Sequence, residues 1–460
     1  MELPTSDAIP KNDTEYNPTV SIQENNSMIS EDQGTDDYPT QHVDAIDVEM
    51  ATSEHNDQNI SAEEQYYPQP YQLIDYDFTQ KCVCVATAED FTQGDITIKS
   101  DQNNFFKSAK WSPDGSCFLT NSNDDVVRVV ELSPTDIMEV TEETGLKSIS
   151  QVTEAETVYD ASWYPLMNAQ DPATCCFVTS SRDHPVHLWD AYSGQLRGSY
   201  SIVDHREQMI GSNSLCFNLD GTKLYCGFNN SIHIFDTARP GRDCYKMATT
   251  PTRKSKKGQK GVISCISFNP DRSGLYAAGS YSKTIGLYAE NENKLISLLK
   301  GPQGGLTQVQ FSPDGRYLYS VSRKDNEIYC WDIRDTGEVL FTLKRYGDTN
   351  QRISFDIDMS GRYLLSGDQN GSLTTYGLNP SSSQAEPILS FPAHQDLVSS
   401  ASFHPTLPLL LTSSGQRKFQ IDGDDEELTI DNSLKIWKVP ASYNWYLDGA
   451  IYNPQVDVEV

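Results

Sequence analysis

The residues best suited to chemistry in this chain are cations placed in short turns. Arg182-Asp183-His184, Tyr281-Ser282-Lys283, Arg323-Lys324-Asp325 and Arg417-Lys418 each separate two strand-like runs, as does Asn229-Asn230. Three longer connections, PTRKSKKGQKG (251–261), GPQGG (301–305) and KRYGDTNQR (344–352), add Arg253, Lys254, Lys256, Lys257, Lys260, Lys344, Arg345 and Arg352. Guanidinium and ammonium groups on turns neutralise phosphates, and the interleaved Tyr281 and Tyr346 offer faces on which unpaired bases stack. The plainer alternative is that these loop cations are solvated or paired with neighbouring aspartates. The TRKSKK run also has the character of a nuclear localisation signal.

Other chemistries are poorly supported. Ser180, Asp183 and His184 are the residue types of a hydrolytic triad, but in repeats of this kind such residues tie strands together. GPQGG and KKGQKG lack the G-x-x-x-x-G-K-[ST] pattern of a phosphate-binding loop. The acidic DGDDEE run (422–427) misses the spacing of a calcium loop. Ten cysteines include no C-x-x-C pair, which argues for small buried residues rather than a zinc site or a disulfide framework. The expectation is a binding protein without catalysis, metal or cofactor.

What must position these turns is a repeat. The last residue of an alternating strand recurs as Trp111, Trp163, Phe217, Phe268, Phe311, Ile357 and Phe403, at intervals of 52, 54, 51, 43, 46 and 46 residues. Each is followed by a second strand ending in small residues (CFLTNS, CFVTSS, LYCGF, LYAAGS, LYSVS, YLLSG, LLLTSS). A third then closes the unit (VVRVVEL, VHLWD, IHIFD, IGLYA, IYCWD, LTTYG, LKIWK). Period-two alternation broken by Gly, Asn, Asp and Pro means antiparallel strands joined by tight turns. Seven such units close into an all-β, seven-bladed WD-repeat β-propeller, which removes raw sheet edges, with Trp189-Asp190 and Trp331-Asp332 as the signature dipeptide. A strand between residues 72 and 105 is expected to complete the last blade. In such a blade the turn between second and third strands lies at the same end as the link to the next blade, so the cations form one rim.

Residues 1–70 carry 16 acidic residues against Lys11 alone, part of a net charge of −30 that argues against indiscriminate nucleic-acid binding. That segment reads as disordered. The propeller spans 71–439, with insertions at 166–175 and 415–432, and 440–460 reads as a tail containing Trp445 and Tyr446. Neither a membrane span nor a secretory leader is visible, so an intracellular, reducing compartment is expected.

Several stretches are far more particular than generic repeat texture: KWSPDGSCFLTNS (110–122), VYDASWYPLM (158–167), TARPGRDC (237–244), SRKDNEIYCWDIR (322–334), TNQRISFDIDMSGRYLLSG (349–367) and HPTLPLLLTSSGQR (404–417). In these, over residues 104–437, the chain resembles the WD-repeat telomerase Cajal body protein family. The resemblance implies binding of H/ACA-type small Cajal-body RNA, and of telomerase RNA where there is one, together with H/ACA ribonucleoprotein proteins. It also implies a nuclear, Cajal-body location, with the cytoplasm as a further compartment, and a monomeric propeller. It puts RNA contacts at Arg323, Lys324, Arg352 and Arg417, with Arg239 and Arg242 at the opposite end. The chain departs from the family in having Pro302 where GPQGG usually carries a histidine. The competing expectation is a protein-only scaffold.

Overall fold

The computed structural model describes residues 71–88, 104–132, 144–204, 206–252, 254–379, 383–418, 430–447 and 450–452. The segment read as disordered (1–70), most of the 415–432 insertion and Arg253 lie outside the described residues.

The chain folds as a seven-bladed β-propeller. Blades 1 to 6 are four-stranded antiparallel sheets, with strands a to d running outward from the centre. Blade 1 uses Phe106–Trp111, Cys117–Ser122, Val126–Glu131 and Ser148–Thr153; blade 2 uses Val158–Trp163, Cys176–Ser181, Val186–Asp190 and Leu196–Tyr200. Blade 3 uses Ser214–Phe217, Lys223–Phe228, Ser231–Asp236 and Tyr245–Ala248; blade 4 uses Ile263–Phe268, Leu275–Ser280, Thr284–Ala289 and Lys294–Lys300. Blade 5 uses Leu306–Phe311, Tyr317–Ser322, Glu327–Asp332 and Phe341–Lys344; blade 6 uses Phe355–Ile357, Tyr363–Gly367, Ser372–Asn379 and Gln384–Pro392. The seven repeat anchors are the last residues of the seven a strands.

Burial explains the pattern. The b strands CFLTNS and CFVTSS are buried at every position, because blades pack on both faces of them. The a strands alternate, as in Phe106–Trp111, and end on an anchor wedged between blades. Fully burying a side chain such as Phe311, 4% exposed, contributes roughly 2–3 kcal/mol. After the anchor, Ser112-Pro-Asp-Gly115 and Ser312-Pro-Asp-Gly315 turn identically. The aspartate accepts from the serine hydroxyl, and the glycine sits at φ 75° and 72°.

Closure is made twice. Blade 7 takes its a, b and c strands from Val398–Phe403, Leu409–Ser414 and Leu434–Lys438, and its outer strand from the early segment Val83–Ala88. Val83 pairs with Lys438 and Ala88 with Leu434, so the expected fastening lies within 72–105. Around the hub, each seam carries a side-chain-to-backbone bond. Trp163 Nε1 donates to Lys110 O (3.1 Å), Leu215 N to Asp160 Oδ2 (3.0 Å), Ser214 Oγ to Ile263 O (3.0 Å) and Ser264 Oγ to Leu306 O (2.7 Å). Phe355 N donates to Gln308 Oε1 (3.0 Å), Phe403 N to Asp356 Oδ2 (2.9 Å) and Ala109 N to Ser400 Oγ (2.8 Å), the last joining blades 1 and 7.

The stretch read as a tail contains strands. Ala441–Leu447 pairs antiparallel with Tyr71–Tyr76 and with Ala450–Tyr452, forming a three-stranded sheet outside the repeats. Tyr71 stacks on Tyr446, and Arg362 holds Asp75 (2.9 Å) and Ile74 O (3.1 Å).

Candidate nucleic-acid interface

The cationic turns share one end of the propeller because the links that follow each d strand hydrogen-bond to them. Arg182 N donates to Thr157 O (3.1 Å), Asn230 N to Gly261 O (2.9 Å), Tyr281 N to Val262 O (3.0 Å), Arg323 N to Gly305 O (2.9 Å) and Lys324 N to Thr349 O (2.9 Å). Lys283 and Lys324 occupy the turn tips with left-handed backbones, φ 64° and 51°, and are exposed. The 251–261 link is an excursion closed at its neck by Thr249 and Gln259, each bonded to the other's backbone. Gln259 is buried on Ala278 O, Thr284 O and Tyr288, which leaves Lys254, Lys256, Lys257 and Lys260 exposed beyond it.

At the hub side of this rim three blades meet in one cluster. Arg323, from the b–c turn of blade 5, lies with Cζ 4.4 Å from the centroid of the Tyr281 ring of blade 4, and its Nη2 donates to the Tyr281 hydroxyl (2.8 Å). Arg352, from the link into blade 6, reaches Tyr281 Oη (3.5 Å) and Ser264 O (3.4 Å) with Nη2. Arg323 Nε is buried without a hydrogen-bond partner. The GPQGG link makes this possible by passing between the two turns. A Cβ on Gly304 would stand 1.8 Å from Arg323 O, and one on Gly305 would stand 3.1 Å from Tyr281 Cα.

Pro302 costs this link no anchor. The buried Asp325 carboxylate accepts from Gln303 N (3.1 Å), Ser322 Oγ (2.6 Å) and Tyr329 Oη (3.4 Å), holding the loop where a histidine is missing. In blade 7 the histidine is present: Trp437 Nε1 bonds Thr412 Oγ1 (2.9 Å), which meets His394 Nε2 (2.7 Å), whose Nδ1 meets Ser433 Oγ (3.0 Å). In blade 2 Glu154 takes that role, accepting from Thr179 Oγ1, Ser181 Oγ (2.9 Å) and His187 Nδ1 (3.1 Å).

The expected site residues are not equivalent. Arg345 stands at the rim by its backbone, whose N donates to Asn326 O (2.8 Å), but its side chain is withdrawn: it is 8% exposed, with Nη1 committed to Ile353 O (2.9 Å) and Ser366 Oγ (3.3 Å). Lys418 is held by the buried Asp396 carboxylate (3.0 Å), and Arg182 pairs with its exposed neighbour Asp183 (3.6 Å). Among the described residues, no carboxylate ion-pairs with Lys254, Lys256, Lys257, Lys260, Lys283 or Lys324. Arg417 is exposed. Lys107, on the first strand of blade 1 and paired with Asp125 (3.2 Å), lies close enough to Arg417 to feel its charge. Tyr159 stands in the field of Arg182. Neither Lys107 nor Tyr159 was expected. The available signal was their matching place as second residue of an a strand, FKSAKW and VYDASW. Arg239 and Arg242 lie in the c–d connection of blade 3, where Arg239 pairs with Asp236 (3.4 Å) and Ser201 N donates to Gly241 O (2.8 Å).

Residues 385–438 match the family described as "WD domain, G-beta repeat", and residues 266–395 match "Lactonase, 7-bladed beta-propeller". The chain is 44% identical to Telomerase Cajal body protein 1 of Mus musculus over 72% of its length and 63% of that protein. It is 29% identical to Telomerase Cajal body protein 1 homolog of Drosophila melanogaster, over 94% of the chain and 78% of that protein. Guanine nucleotide-binding protein negative regulator 1 of Schizosaccharomyces pombe is 34% identical, over 59% of the chain and 70% of that protein. The chain spans 59–63% of the length of the mouse and human relatives it matches.

Proposed function

As this chain belongs to the WD-repeat telomerase Cajal body protein family, we propose that its turn rim cradles H/ACA-type small Cajal-body RNA, and telomerase RNA where the organism has one. On this reading it directs the ribonucleoproteins, with their H/ACA proteins, to Cajal bodies in the nucleus. The observation that carries the reading is the Arg323–Tyr281–Arg352 cluster, flanked by Lys283 and Lys324. It brings cations from blades 4, 5 and 6 together, Lys283, Arg323 with Lys324, and Arg352. One side of the Arg323 guanidinium rests on Tyr281, so its other side is the surface on which an unpaired base stacks. Tyr281 then acts by holding Arg323 in place. Lys283, Lys324, Arg417 and the lysines at 254, 256, 257 and 260 neutralise backbone phosphates, so affinity falls steeply with salt.

The test is titration of a small H/ACA Cajal-body RNA into the full chain and into an Arg323→Ala, Lys324→Ala double variant, at several salt concentrations. The expected result is saturable, salt-sensitive binding, weakened about tenfold or more in the variant, with a nearly unchanged melting temperature. Wild-type protein that shows no saturable binding overturns the reading. A partner set that resists RNase, with no RNA recovered on crosslinking, would replace it with a protein-only platform.

A further inference from the structure

Arg345, withdrawn from the rim, opens a second question. It lines a cleft of about 820 Å³ between blades 5 and 6, bounded by the outer strands Phe341–Lys344 and Gln384–Pro392. The walls are largely apolar, from Leu343, Tyr346, Tyr376, Ala385 and Pro387. Tyr346 is 49% exposed at the edge, and the Tyr376 hydroxyl is spent on Lys344 O (2.6 Å). Arg345 lies inside with its Nε lacking any hydrogen-bond partner, and among the described residues no carboxylate forms an ion pair with it. Burial pushes the guanidinium down to about 10. Asp325 and Asp368 lie near enough to offset part of the cost of keeping that cation out of water without pairing with it, and an anion placed on the unpartnered Nε would offset more.

We propose that this cleft binds one Asp or Glu side chain of a partner protein, flanked there by an apolar or aromatic residue. The Nε edge of Arg345 supplies the charged donor, and a carboxylate meets a guanidinium edge with two parallel bonds. The rest of the lining selects against phosphate. Glu327 and Asp368 share the cleft, with Lys344 as the other cation besides Arg345, so negative charge beyond the one that Arg345 takes up meets two carboxylates. A monoanion with apolar surroundings satisfies Arg345 and covers Leu343, Tyr376 and Pro387, whereas a polyanionic strand meets repulsion and gains no base contact.

The probe is 3-phenylpropionate, with neutral 3-phenylpropanamide as its isostere, titrated into the full chain without RNA. The readout is the Nε–Hε signal of Arg345, assigned by its loss in Arg345→Lys. The exposed Ser390→Trp variant, which fills the mouth and leaves Arg345 intact, provides an independent control should Arg345→Lys fail to fold. The expected result is a saturable shift with the acid, none with the amide, and affinity about tenfold weaker in Ser390→Trp. An equal response to the amide, or no response to either, overturns the proposal. So does a stronger response to inorganic phosphate or single-stranded RNA, which would return Arg345 to the nucleic-acid rim. Because no RNA is needed, this result is separable from the fate of the RNA reading.

Discussion

Mild acid should weaken the joint between the last and first blades through one side chain. His404 is 3% exposed at that seam and packs against Trp111 with ring centroids 4.6 Å apart. Its Nδ1 accepts from Thr406 N (3.1 Å) and Leu407 N (3.0 Å), so the ring is neutral with Nε2–H donating to Gly115 O (2.9 Å). A second proton has to displace two backbone donors and charge a buried ring, and burial accordingly lowers the group from 6.5 to about 4. A histidine depressed on folding contributes its full stability above the unfolded value of about 6.5 and loses it as pH falls toward about 4. At about pH 5 the unfolded chain has bound this proton and the folded chain mostly has not, which costs ~2 kcal/mol relative to neutral pH.

Other groups titrate over the same range. His233 is likewise lowered to about 4, whereas Asp356, raised to about 6 by burial, gains folded stability as pH falls. Both remain in a His404→Gln variant and cancel in the comparison. Urea unfolding of wild type and variant at about pH 7 and about pH 5 should therefore show wild type losing ~2 kcal/mol more than the variant. An identical gap at the two pH values would refute the assignment of a neutral, doubly accepting His404.

Gly304→Ala drives a methyl into Arg323 O, so it should cost about 2–4 kcal/mol and displace the Arg323–Tyr281 pair. An unchanged melting temperature would count against the threaded link. Glu154→Ala strips the acceptor from Thr179, Ser181 and His187 inside blade 2 and should destabilise by about 3 kcal/mol in denaturant titration. Arg362→Ala releases Asp75 and Ile74 O, a half-exposed arrangement. Its expected signature is faster amide exchange confined to Tyr71–Tyr76, with global stability changed by about 1 kcal/mol at most.

The propeller was legible because its anchors answer to one steric demand. Trp111, Trp163, Phe217, Phe268, Phe311, Ile357 and Phe403 each end an a strand that wedges between blades, and only large side chains fill that space. The common rim was legible for the same reason, since topology alone orders the turns. What escaped reading depends on neighbours distant in sequence. The Arg323–Tyr281 stack joins turns of different blades, Arg345 looks like any loop cation until its side chain meets Ile353 O and Ser366 of the next blade, and Asp325 replaces a missing histidine through a backbone amide. The Ala441–Leu447 strand lacked repeat texture because its partner, Tyr71–Tyr76, lies outside the repeats too.

The pairing of Val83 with Lys438 sets an order of assembly. A ribosome delivers the Val83–Ala88 strand before any blade exists and its partner Leu434–Lys438 after six blades are complete. One edge can pair with Thr144–Gly145 once blade 1 is made, but the edge that meets Leu434–Lys438 waits bare throughout that interval, exposed to mispairing with other nascent chains. A message cut short anywhere before codon 434 therefore forfeits the closure of the entire toroid, however many finished blades precede the break.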